Sequence, residues 1–287
     1  MPELIGGRYR LVERIGAGGM GVVWRARDEV LGREVAVKRV RLAPELDAAE
    51  RRALCERALG EARTAAMLRH PSIVAVHDLV DQDGDPAIVM ELVHGPSLEQ
   101  VIRDQGPLPV SRAAQIGLRV LSALEAAHAA GVLHRDVKPA NVLLASDGRV
   151  VLSDFGIATL AGGQVGTPVG TPGFTAPECL LPDPVVGPSS DLWSLAATVY
   201  AAVEGRGPFT REGALATIGA VLTEPPAPSS SPLWPVLRAM LDKDPARRPG
   251  AAEFRAHLEA AARGRRRKNA GLLPMAIAAL VAATAIG

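Results

Sequence analysis

His134-Arg135-Asp136-Val137-Lys138-Pro139-Ala140-Asn141-Val142-Leu143-Leu144 places an acid, a base and a carboxamide within eight positions and then turns apolar. The apolar end reads as a short buried strand, so the polar part is the loop leading into it. Asp136 offers a carboxylate that accepts the proton of an attacking hydroxyl, and Lys138 balances phosphate charge. Asn141 presents an amide oxygen suited to a hard divalent ion, and Pro139 stiffens the turn between them. A charged surface loop is the plainer reading, but this spacing gives each polar residue a chemical role.

Ten residues past Leu144 stands Asp154-Phe155-Gly156, and from there the chain resembles the protein kinase superfamily, over Tyr9 to about Ala262. It is similar to bacterial transmembrane serine/threonine kinases of the eukaryotic-like type. The resemblance implies an α+β, bilobal fold. A small lobe with an antiparallel sheet and one long helix is expected over 1–93, and a mainly helical lobe over 94–262. A basic juxtamembrane segment at 263–269 and an apolar transmembrane helix at 270–287 are expected to follow.

Length and composition are compatible with this. A chain of 287 residues is too long for one small core, and 48% hydrophobic against 22% charged residues is a globular balance. Lysine plus arginine number 32 against 31 acids, which argues against nucleic acid as the main partner. The two cysteines, Cys55 and Cys179, show no C-x-x-C spacing, which excludes a disulfide framework and a cysteine zinc site. The N-terminal residues lack an apolar run, so no cleaved secretory signal is expected.

Tyr9 to Ile15 and Gly21 to Arg27 alternate apolar and polar, which predicts two antiparallel strands joined by the turn containing Gly16, Gly18 and Gly21. Glycines let backbone amides approach phosphate oxygens, as a flap over ATP requires. A third strand, Arg33 to Val40, puts Val35 and Val37 on one face and Ala36 and Lys38 on the other. Ala36 is small enough to lie under a purine, with Lys38 directed toward the phosphates. Ala48 to Arg69 reads as a helix closed by His70-Pro71. Glu56 and Glu61 are candidate partners for Lys38, and the resemblance selects Glu61. Strands are expected at Ile73 to Leu79 and Ala87 to Leu92, around the turn at 81–86. The resemblance further implies that the backbones of Glu91 and Val93 bond adenine, that Ile15, Val23 and Leu143 help enclose it, and that Met90 borders the pocket behind.

Helices are expected over Ser97 to Asp104 and Ser111 to Ala130, with His128 structural and Gly131 ending the second. In the loop that follows, the resemblance assigns His134 and Phe155 to an internal stack. Asp136 becomes the catalytic base, Lys138 the γ-phosphate contact, and Asn141 and Asp154 the Mg²⁺ ligands. The lysine two residues after Asp136 also resembles serine/threonine rather than tyrosine kinases. Between Ile157 and Glu178 the chain is rich in Gly, Thr and Pro and reads as a loop. The resemblance implies a phosphorylated threonine there, Thr167, neutralised by Arg135, with Thr171 lining the substrate site. Further along, it implies a Glu178–Arg248 ion pair, and an Asp191 that holds the catalytic loop from below. Ser190 opens an apolar helix to Glu204, a proline-rich connector spans Pro225 to Pro235, and helices follow from Trp234 to Leu241 and Ala251 to Ala262.

Residues 270–287 carry no charge and, at about 1.5 Å each, would span roughly 27 Å as a helix, against about 30 Å of bilayer core. Five basic residues precede them, which would hold the kinase on the cytoplasmic side of the cell membrane as a single-pass protein. A soluble alanine-rich helix is the alternative. The expected partners are ATP, protein substrates, the membrane and a second copy for trans-autophosphorylation. Two rivals stand beside a protein kinase: a membrane-bound pseudokinase acting as an interaction module, and a small-molecule phosphotransferase.

Overall fold

The computed structural model describes residues 3–18, 21–40, 47–82, 84–155 and 172–270. Four strands open the chain: β1 (Leu4–Ile5), β2 (Tyr9–Gly18), β3 (Gly21–Asp28) and β4 (Arg33–Val40). After α1 (Ala48–Ala66) come β5 (Val76–Gln82) and β6 (Asp85–Met90), which complete a six-stranded antiparallel sheet in the order β1-β2-β3-β4-β6-β5. The alternation in β4 sorts its side chains as expected. Val35 and Val37 join Ile5, Tyr9, Leu11 and Val89 in one core, while Ala36 joins Val74, Met90 and Val151 in another on the opposite face. Lys38 is buried on the Ala36 side.

Helix α1 begins at a capping box in which the Asp47 carboxylate accepts the Glu50 N–H and the Glu50 side chain accepts the Asp47 N–H. It ends at Ala66, three residues before the expected Arg69. Met67 and Leu68 donate to Thr64 and Ala65 in tight i→i−3 turns as the chain prepares for Pro71. The next strand starts three residues later than its alternation suggested. Ile73 bridges Leu152, and the Val74 N–H donates to the Leu152 carbonyl, so this piece pairs away from the main sheet. Its partner strand ends at Met90 rather than Leu92, because the chain there leaves the sheet for the hinge.

The second lobe holds α2 (Leu98–Gln105), α3 (Val110–Ala129), the hairpin β7 (Val142–Leu144) and β8 (Val150–Leu152), α4 (Pro188–Glu204), α5 (Ala214–Thr223), α6 (Trp234–Met240) and α7 (Ala251–Ala270). Its centre is α4, buried on nearly every side, with Trp193 stacked on Phe209 at 5.5 Å between centroids. Helix α5 has no counterpart among the elements expected from the sequence: its N-cap is Gly213 without a side-chain cap, so no start signal marks it. Helix α7 passes beyond the expected end at Ala262 through the arginine-rich segment to Ala270, because arginine and lysine are good helix formers. Among the described residues no helix is long and apolar enough to cross a membrane. The expected transmembrane helix at 270–287 lies, apart from Ala270, outside them.

Candidate active site

The hinge between the lobes is stitched to the β7–β8 hairpin. Leu144 donates to the Pro96 carbonyl and Ser146 to that of His94, and Gly95 (φ 151°) sits where an added Cβ would meet the Leu144 oxygen at 2.1 Å. The Glu91 N–H is committed to Ala75, at 2.8 Å, which leaves its carbonyl as the group able to face adenine. Its carboxylate accepts Arg149 at 2.6 Å, a link that no local pattern announces. Val23, Val93 and Leu143 pack around Ala36, Val74, Met90 and Val151, so four of the expected nucleotide contacts share one apolar cluster. Ile15 is exposed on β2 at the rim, with Gly16 and Gly18 on the same strand. Gly21 opens β3 at φ 145°, with the Arg39 carbonyl so close that an added Cβ would approach it to 2.0 Å. Behind Met90 lies a small space of about 20 Å³, room for one water, walled by Ala65, Ile88, Asp154 and Phe155.

Below the hinge, the loop that begins at His134 is held at its start. Asp191, from the buried start of α4, accepts the backbone N–H of His134 at 2.9 Å and of Arg135 at 2.8 Å, and its Oδ2 also meets His128 Nε2 at 2.7 Å. His128 was expected to be structural; its tie to Asp191 across the fold is the role. Burial pushes the Asp191 carboxyl up, but His128, His134 and the two backbone donors outweigh it and hold it below the usual range. His134 Nε2 donates to the Ser153 carbonyl at 2.8 Å, and Nδ1 accepts the Asp136 N–H at 3.2 Å, which fixes the neutral Nε2–H tautomer. Desolvation depresses its pKa in the same sense. Phe155 meets the ring edge-on at 4.5 Å, so the expected internal stack is formed.

The reactive groups converge above this support. The short 3₁₀ turn Pro139–Asn141 brings Asn141 back over Asp136, where its amide nitrogen donates to the Asp136 carbonyl at 2.8 Å and to Oδ2 at 3.0 Å. Lys138 Nζ reaches the same Oδ2 at 2.8 Å. Both donors lie on one carboxylate oxygen, and among the described residues no donor occupies the amide oxygen of Asn141, the kind of atom a hard cation takes. From the sheet, Lys38 Nζ pairs with Asp154 Oδ1 at 2.8 Å, with only 5% of the lysine side chain and 20% of the aspartate exposed. Burial raises the Asp154 carboxyl, while Lys38, then His134 and Lys138, pull it down to a net depression. Arg135 and Asp154 adopt φ of 68° and 66°, a conformation that costs a non-glycine residue about 1–3 kcal/mol and gathers where function requires it. Glu178 and Arg248 form the expected pair through two bonds of 2.7 Å each. The side chain of Glu61, and all of Thr167 and Thr171, lie outside the described residues.

Comparison with known proteins agrees with this architecture. Residues 9–258 match the protein kinase domain family. The chain is 41% identical over 257 residues to the serine/threonine-protein kinase PknA of Mycobacterium tuberculosis, covering 85% of this chain and 58% of that protein. It is 38% identical over 283 residues to the serine/threonine-protein kinase PkaA of Streptomyces coelicolor, covering 91% and 51% respectively. It therefore spans a little over half the length of these relatives. With the family matched across both lobes and the loop, hinge and ion pairs in the places described, the chain belongs to the protein kinase domain family.

Proposed function

We propose that this chain is a protein serine/threonine kinase, which transfers the γ-phosphoryl group of ATP to the hydroxyl of serine or threonine in proteins. The observation that carries the reading is the Asp136 carboxylate, oriented by Lys138 at 2.8 Å and Asn141 at 3.0 Å. Asp136 takes the hydroxyl proton as the oxygen attacks phosphorus. Lys138, on the same carboxylate oxygen, lies close enough to Asp154 to bear on its charge and is placed to meet the transferring group. Lys38 meets the α and β phosphates in exchange for part of its contact with Asp154, with Glu61 as its partner on α1. The adenine edge bonds the Glu91 carbonyl and the Val93 N–H, beneath the glycine flap. Asn141 and Asp154 supply hard oxygens, a donor set that fits Mg²⁺, which characteristically takes one or two protein ligands beside phosphate. Held by Asn141 and Asp154, such an ion would offset negative charge on the phosphates. Incubation with Mg²⁺ and radiolabelled ATP should label protein in wild type and not in Asp136→Asn; equal labelling would reject the assignment.

Further parts of the reading rest on sequence. Phosphorylated Thr167 would add nearly two negative charges for Arg135 to neutralise, ordering its loop; a phosphosite map without it would remove this role. The boundary between lobes falls near Val93, where the hinge starts. The uncharged stretch at 270–287 anchors the protein in the cell membrane, behind a basic segment that keeps the kinase cytoplasmic. Recovery of both the full chain and a version ending at Ala270 in the soluble fraction would count against the anchor. Two copies phosphorylate one another, so the initial rate of autophosphorylation should rise with the square of concentration, whereas a first-order rise would place the reaction within one chain.

A further inference from the structure

On the helical lobe, α3, α7 and the β7–β8 hairpin line a groove of about 640 Å³. That is within the range of pockets that hold a ligand. Arg112 and Arg119 stand two turns apart on α3, about 10.5 Å along the axis, both exposed and, among the described residues, without an ion pair. Arg149 from the hairpin and Arg255 from α7 also line the groove. Arg149 is matched by Glu91 and Asp147, and Arg255 by Glu125, so the uncompensated charge is that of the two α3 arginines. Glu259, the one acid in the wall among the described residues, is 3.5 Å from Arg263. The floor is apolar: Ile116, Leu118, Leu144 and Val150.

The geometry points to a docking groove for an acidic, leucine-rich segment of a protein substrate, a partner class that rests on the kinase reading above. Arginine forks bind carboxylates in a bidentate manner; carboxylates at alternate positions of an extended peptide stand about 6.7 Å apart on one face, and the long side chains of Arg112 and Arg119, rooted about 10.5 Å apart along α3, can close on them while the residue between faces the other way, into the apolar floor. Among the described residues no aromatic side chain lines the groove, whereas a single-stranded nucleic acid stacks its bases on such side chains. The site also reaches the hinge, because Arg149 holds both its wall and the Glu91 carboxylate.

The test uses a fluorescein-labelled peptide of alternating glutamate and leucine on the full chain, read by anisotropy, with Arg112→Glu/Arg119→Glu as the variant. Binding should weaken roughly tenfold or more in the variant, as reversal of two charges at a complementary site does, and should weaken with added salt. Attaching the same segment through a flexible linker to a short threonine peptide should lower its KM severalfold in wild type and not in the variant, while kcat for the unextended peptide stays the same in both. No peptide binding by wild type, equal binding by the variant, or equal displacement of the peptide by single-stranded DNA would each overturn the groove. Peptide binding without phosphorylation of either substrate would instead overturn the kinase reading and leave docking in place.

Discussion

The Asp191 carboxylate accepts the N–H of Arg135 at 2.8 Å, at a residue whose φ of 68° is costly for any side chain but glycine. A buried carboxylate thus holds the catalytic loop in a conformation that the loop would not hold alone. An asparagine at this position keeps the shape but turns an amide N–H₂ toward at least one of the donors now satisfied. Asp191→Asn should cost about 2–3 kcal/mol in denaturant unfolding and lower kcat about 100-fold through misplacement of Asp136. An unchanged kcat in a folded variant would show that the tie is dispensable.

In the mechanism proposed above, Lys138 and Asn141 act through Asp136, so loss of this carboxylate should be specific to the chemical step. Asp136→Asn should lower kcat by about 10²–10⁴ and leave the KM for ATP within twofold. A matching rise in KM would mean that the residue serves binding instead.

Glu178 and Arg248 are almost wholly buried together. Removing Arg248 strands a carboxylate in the lobe core, and Arg248→Ala should cost about 3–5 kcal/mol. Burial raises the Glu178 carboxyl, but the bonds from Arg248 and Ser190 hold it below its ordinary 4.5. Its contribution is therefore present above pH 4.5 and is lost as pH falls through the lower folded-state value. Glu178→Gln should flatten that acid limb of the stability curve; an identical limb would assign it elsewhere.

Lys243 lies over the Phe209 ring at 3.8 Å and donates to carbonyls at the end of α5. Desolvation, aided by Arg248, pulls its pKa down to about 8. Between pH 8 and 10.5 the unfolded chain keeps a proton that the folded chain releases, so this residue makes stability rise with pH there. The difference between wild type and Lys243→Met should grow across that window, and a constant difference would contradict the environment described.

Two glycines of the flap should behave differently. Gly21→Ala would drive a methyl into the Arg39 carbonyl from an unfavourable φ, and should cost more than about 3 kcal/mol in stability. Among the described residues none comes within 4 Å of such a methyl on Gly18, so Gly18→Ala should change stability by less than about 0.5 kcal/mol while raising the KM for ATP. Equal thermal shifts in the two variants would remove the distinction.

Much of the site is legible in the order of residues because its spacing is short. Asp136, Lys138 and Asn141 lie within six positions, so a single turn at Pro139 brings them together, and the alternation of β4 alone puts Ala36 and Lys38 on one face. Glycine and proline signals likewise place β2, β3 and the end of α3, since they act through local backbone preference. Helix α5 escapes because neither a cap nor a polar face marks its start. Contacts over long separations follow no such local rule: Asp191 under the loop, its bond to His128, Arg149 on Glu91, and the arginine groove are set when α3, α4, α7 and the hairpin pack. Local chemistry is written in adjacent residues, whereas the choice of which charges meet depends on burial of the apolar faces that bring distant segments together.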